Sequence, residues 1–158
     1  MSIKINFKKS SLGKISSNLV LFVDEKFGTN SIKKYISESE FSYITDLLKK
    51  FDLTKNVFVF ELNSKKKIIL VSVKKKIKNF DIENLGAEIY EHVNKGKSSQ
   101  YYINLDSIVS DQKNFIGHFL HGLKLKSYEF NKYKSKKNTR LISIIVHGNK
   151  NKPSTNIL

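Results

Sequence analysis

Five consecutive apolar residues, Leu19-Val20-Leu21-Phe22-Val23, constrain the fold of this chain more than any other stretch. Successive side chains of a strand point to opposite faces, so a run that is apolar at every position has no wet side and must be covered above and below. That requirement favours a sheet with helices on both faces over a sandwich. Ile142–Val146 is a second largely apolar run, interrupted by Ser143. Ile3, Ile5 and Phe7 instead alternate with Lys4 and Asn6, the pattern of a strand with one wet face.

Between these runs the helical and strand periods take turns. Ser37 and Glu40 stand at capping-box spacing, and Phe41, Ile44, Leu48 and Phe51 follow at helical spacing, which predicts a helix from Glu38 to Phe51. Val57–Leu62 and Ile68–Val73 flank the polar Asn63–Lys67 and read as an antiparallel hairpin. Asp81 is the expected N-cap of a helix carrying Ile82, Leu85, Ile89 and Val93 on one face, with Gly96 as its stop. Gln100–Leu105 is the next strand. Ser110 or Asp111 then opens a helix whose apolar stripe is Ile116, Phe119, Leu120 and Leu123. Leu125 and Tyr128 fall off that stripe, so the helix is expected to end near Lys124–Ser127, with Tyr128, Phe130 and Tyr133 packing elsewhere. Arg140–Val146 is a final strand and Gly148–Pro153 reads as a linker. The order of elements predicts an α/β fold, a three-layer α/β/α arrangement around a mixed sheet.

A chain of 158 residues, 39% hydrophobic with 11 Phe and 7 Tyr, suits one domain able to bury a core. The apolar runs are strand-length, too short to span a bilayer, and the alternating start builds no signal peptide, so a cytoplasmic protein without a membrane partner is expected. Cysteine is absent, which excludes disulfides, thiolate metal sites and a Cys nucleophile. The net charge of +15 raises nucleic-acid binding, but Arg140 is the sole arginine. Lysine is a hydrated point charge without the guanidinium fork that grips phosphates bidentately. Two triplets, Lys65, Lys66, Lys67 and Lys74, Lys75, Lys76, flank one predicted strand and form a candidate anion-binding patch. The stronger reading makes them solvated turns that also guard the sheet against edge pairing.

His118 and His121 lie three apart on the last helix, a spacing that can bring two imidazoles to one metal, but no carboxylate within a turn completes a set. Both project opposite the apolar stripe and read as a structural or solvated pair. No glycine-rich phosphate loop, G-x-S-x-G elbow or H-E-x-x-H motif occurs. Asp24, Glu25, Asp106 and Asp111 fall at element ends, where carboxylates more often cap than catalyse. The residues themselves give no catalytic, cofactor or metal set.

From Gly122 to Lys134 the sequence GLKLKSYEFNKYK resembles the leucyl aminopeptidase (cytosol aminopeptidase) family. In the family's N-terminal domain a helix ends in a pattern like Gly-x-x-Leu-x-x-Tyr-x-Phe-x-x-Tyr-Lys, and Gly122, Leu125, Tyr128, Phe130, Tyr133 and Lys134 match it. The order of elements over Ile3–Val146 is similar too. Two features differ: Ser72-Val73-Lys74-Lys75 replaces a Gly-rich turn, and His121 stands where an acidic residue is common.

The resemblance implies a macro-domain-like N-terminal domain over residues 1–147, with 148–158 as the start of an interdomain linker. It further implies that catalysis belongs to a separate C-terminal domain, in which two divalent ions, zinc or manganese, serve to remove N-terminal amino acids from peptides. That domain's signature segments do not occur in this sequence. On this basis the chain is expected to be a non-catalytic accessory and assembly domain, partnered by its own catalytic domain and by other subunits in a hexamer. Tyr128, Phe130, Tyr133 and Lys134 are then candidates for domain packing or an interface. The alternative is a lysine-rich macro-like module that binds nucleic acid, through the two triplets and Lys132–Lys137, or a nucleotide.

Overall fold

The computed structural model describes residues 2–8, 18–51, 54–63, 66–74, 76–95, 100–108, 114–131 and 141–148. Along the chain these form β1 (Ser2–Lys8), β2 (Asn18–Asp24), α1 (Glu38–Leu48), β3 (Val57–Glu61), β4 (Lys67–Val73), α2 (Asn79–Lys95), β5 (Gln100–Asn104), α3 (Phe115–Asn131) and β6 (Leu141–His147). Short 3-10 turns occupy Thr29–Tyr35 and Leu105–Ser107. One six-stranded sheet has the order β1-β6-β5-β2-β4-β3. Its pairs are parallel except β3 with β4, the expected hairpin.

The all-apolar run of β2 is buried on both sides, as its pattern requires. Val20 and Phe22 join the core beneath α2 and α3, whereas Leu19, Leu21 and Val23 join the core beneath α1 and the first 3-10 turn. In the first core the Phe22 ring meets Phe115 and Phe119 edge-on at 5.4 and 5.3 Å. Helix α1 begins with the predicted reciprocal cap: Ser37 Oγ accepts the Glu40 N–H at 3.2 Å and Glu40 Oε1 accepts the Ser37 N–H at 3.0 Å. A cap of this kind is worth about 1 kcal/mol.

Three boundaries depart from expectation. Helix α1 ends at Leu48, and Phe51 leaves the helical path to stack on Phe58 of the hairpin at 5.2 Å. Helix α2 starts at Asn79, so Asp81 sits inside the first turn and not at the cap, where its charge still complements the helix dipole. Helix α3 starts at Phe115 and continues to Asn131, past the predicted stop.

The extension has a local cause. Ser127 falls four residues after Leu123 on the same stripe and is 3% exposed, with its hydroxyl donating to the Lys124 carbonyl at 2.6 Å. A small, internally bonded serine continues a stripe that a reader of apolar residues takes to be finished.

Helices α2 and α3 approach until their backbones touch. A Cβ on Gly86 would run into the Phe119 carbonyl, and one on Gly122 into the Glu83 carbonyl. Each helix thus presents a glycine to the backbone of the other, which gives Gly122 a packing role.

Candidate functional site

Every strand except β3 runs parallel, so five carboxyl ends share one rim, and the strand order reverses between β2 and β5. Open α/β sheets leave a ligand crevice at such a reversal. Here the chain fills it with its own residues. Pairing between β2 and β5 stops at Val20 and Ile103, and beyond it the Phe22 N–H donates to Ser107 Oγ at 3.0 Å. Ser107 Oγ donates in turn to the Asn104 carbonyl at 2.9 Å, while Asn104 Oδ1 accepts the N–H groups of Asp106 and Ser107 at 2.8 and 3.2 Å. Asn104, Leu105, Ser107 and Ile108 are all buried.

The carboxylates at this rim hold turns. Asp24 Oδ1 accepts the N–H groups of Lys26 and Gly28 at 3.1 and 2.8 Å. Glu25 is exposed, Asp106 belongs to the second 3-10 turn, and Asp111 lies outside the described residues. The rim also holds a residue the sequence did not single out. His147 ends β6 opposite Asn104, is fully buried, meets the Tyr102 ring at 6.0 Å and has a hydrogen-bond partner on neither nitrogen. Burial lowers its pKa, with Lys8 acting the same way and Asp106 in opposition. A histidine closing an apolar strand was the available signal.

The two helical histidines differ in their surroundings. His121 is exposed and its Nδ1 lies 3.2 Å from Glu83 of α2, while His118 is half-buried. Among the described residues no group of three or more His, Cys, Asp or Glu could hold a metal ion. The two divalent ions that the resemblance implies therefore find no ligand set in these elements.

Of the lysine triplets, the described members Lys66 and Lys67 lie at one end of β4 and Lys74 and Lys76 at the other, across a strand whose seven residues span roughly 20 Å. Lys66 is 8% exposed and its Nζ lies 2.7 Å from Glu40 Oε2, beside the cap of α1. Lys67 pairs in register with Glu61. Lys74 borders a cleft of about 320 Å³ that also contains Asp81 and Glu88, a lining of mixed charge. Lys76 is exposed, and Lys65 and Lys75 lie outside the described residues.

Of the motif residues at the end of α3, Leu125 and Tyr128 are three apart and 49% and 60% exposed. Tyr128 does not pack elsewhere as expected but stays on the helix, with its ring in solvent. Beside it Lys126 Nζ lies 3.5 Å from Glu91 and 3.7 Å from Glu129. Phe130 belongs to the last turn of α3, and Tyr133 and Lys134 lie outside the described residues.

These elements define an α/β domain with helices on both faces of a mixed sheet and a crevice closed by its own turn. The model of the cytosol aminopeptidase family N-terminal domain matches residues 19–137, and the chain belongs to that family. Among solved structures it is similar to a mutant of tomato leucine aminopeptidase, at 14% identity and a TM-score of 0.59 over 96% of this chain. The chain spans 34% of the length of that enzyme. No curated protein matches the sequence. No helix among the described residues is long and apolar enough to cross a membrane.

Proposed function

We propose that this chain acts as the non-catalytic N-terminal accessory domain of a cytoplasmic metallo-aminopeptidase. It packs against a C-terminal domain that holds two divalent ions and removes N-terminal amino acids, and it supports assembly of a hexamer. The observation that carries this reading is the match of residues 19–137 to the family's N-terminal domain. The exposed pair Leu125 and Tyr128 supports it, since these are motif positions without a core role on a helix already anchored through its other face. Phe130, Tyr133 and Lys134 complete the proposed contact. A buried, self-bonded crevice at the strand reversal weighs against the nucleotide-binding alternative.

The 158-residue chain, assayed on leucine p-nitroanilide with added manganese or zinc, is expected to release no p-nitroaniline above the metal-only control. Turnover that titrates with the chain would overturn the assignment. In a protein that carries both domains, Tyr128→Glu is expected to reduce the hexamer fraction in sedimentation velocity, and an unchanged distribution would remove this face from the assembly.

A further inference from the structure

Strand β3 closes one side of the sheet and, among the described residues, pairs only with β4. Its ladder fixes which backbone groups are in use. The Ser72 N–H donates to Asn56 O and the Leu62 N–H donates to Lys66 O, so the even-numbered residues face β4. By the two-residue period, Val57, Val59 and Glu61 turn their N–H and C=O groups outward, along an edge that no described strand covers.

A groove of about 590 Å³ follows this edge and reaches both faces of the sheet. On the α1 face its wall is aromatic, with Phe51 stacked on Phe58. On the α2 face it is cationic: Lys67, His92 and Lys95 converge beside Val59, with Lys55 also in the lining and Glu61 the one carboxylate there. Burial lowers the His92 pKa, Lys95 and Lys67 lower it further, and Glu91 opposes them, as expected of a locally positive site.

We propose that the free edge of β3 is a docking site for an extended acidic segment of a partner protein, which adds as a seventh strand with apolar and acidic side chains in alternation. The outward groups of Val59 and Glu61 supply the backbone bonds, next to the buried Val57. A strand drops alternate side chains onto opposite faces, so one set meets Phe51 and Phe58 while the other meets Lys67, His92 and Lys95. Charge selects the occupant at this edge, because a second β3 edge would bring the same Lys55, Lys67, His92 and Lys95 cluster against its own and be repelled there. This surface is separate from the α3 face and does not depend on the aminopeptidase reading.

The test is a capped, dye-labelled peptide alternating Glu with Val and Phe, titrated with the chain and followed by fluorescence anisotropy. A peptide of the same composition with its glutamates in one block serves as the comparison. The alternating peptide is expected to bind saturably and to perturb the amide resonances of Val57, Val59 and Glu61, and its carboxylates to raise the His92 pKa. Val59→Pro removes an outward N–H that has no partner in the ladder, a substitution edge strands tolerate, and is expected to weaken binding by roughly tenfold or more. Lys95→Glu leaves the backbone intact and is expected to weaken it as well. Equal binding of the two peptides, no binding of either, or full affinity in both variants overturns the proposal. So does sedimentation that shows the chain pairing with itself in place of the peptide.

Discussion

The two faces of this sheet are closed by different means. Beneath α2 and α3 the core extends from the partly buried Ile3 and Ile5 of β1 to Val57 of β3, and the two helices are locked by glycines set against each other's backbone. Beneath α1 the core covers β2, β4 and β3, with the partly buried Tyr102 of β5 at its margin, and one helix and a 3-10 turn are tied to the hairpin through the Lys66–Glu40 pair. Shape holds the first face and charge contributes to the second. The first should therefore be brittle to volume, and the second should be the one that loses its ion pair as carboxylates take protons.

Gly122→Ala gives the largest expected effect. Its Cβ meets the Glu83 backbone, which cannot rotate away, so the loss should exceed about 3 kcal/mol, the upper part of the usual overpacking range. Urea denaturation measures it. The double variant with Gly86→Ala should lose less than the sum of the two singles, because one forced separation relieves both contacts. Additive losses would mean that the contacts are independent.

Lys66→Ala comes next. Removing one partner leaves Glu40 charged and partly buried; because that side chain keeps 18% exposure the loss should be about 2 kcal/mol, below that of a fully buried pair. Hydrogen exchange should quicken in α1 and β4 and stay unchanged at the α2–α3 contact.

Acid should separate the faces further. Burial raises the Glu40 pKa, but hydrogen bonds and charge from Lys66, and bonds from Ser37, bring it below the ordinary 4.5. The unfolded carboxyl then takes its proton first, so this stability is complete above pH 4.5 and lost as pH falls through the folded value. Exchange at α1 should rise in that window, and Glu40→Gln should abolish the dependence. His147 and His92 are also lowered, from 6.5, so their contribution is present above that value and declines in milder acid. His147→Gln should flatten part of this earlier decline. Smallest of all, Tyr128→Ser should change the stability of the chain alone by no more than about 0.5 kcal/mol, since its ring is largely in solvent.

Much of the fold was legible in the sequence because its signals were local. The apolar run of β2, the Ser37–Glu40 box and the polar hairpin connection each depend on neighbours a few residues away. What escaped depends on distant partners. Lys66 looks like its neighbours Lys65 and Lys67 until folding brings Glu40 beside it. Ser127 breaks an apolar stripe in the sequence but continues it in space, because a serine that bonds its own helix can be buried. Thr29–Tyr35 has neither helical nor strand period, and nothing marked it as part of a core. The family motif placed Gly122, Leu125 and Tyr128 together, whereas the structure gives Gly122 to the helix pair and the other two to the solvent face. The groove at β3 left no sequence signal, because its cations come from three separate places, Lys55 ahead of β3, Lys67 of β4 and His92 and Lys95 of α2.

The pairing of β1 with β6 sets an order of events. Ser2 aligns with Leu141 and Lys8 with His147, so β1, the first of the six strands in chain order, finds its partner only after the other described elements have been synthesised. Until then it is an unpaired strand in a crowded cell, with Ile3, Ile5 and Phe7 available to any passing edge. Lys4 and Lys8 keep that waiting strand charged, which discourages premature pairing. Lysines that look like a uniform surface in the finished molecule would thus guard an unpaired strand until β6 is made.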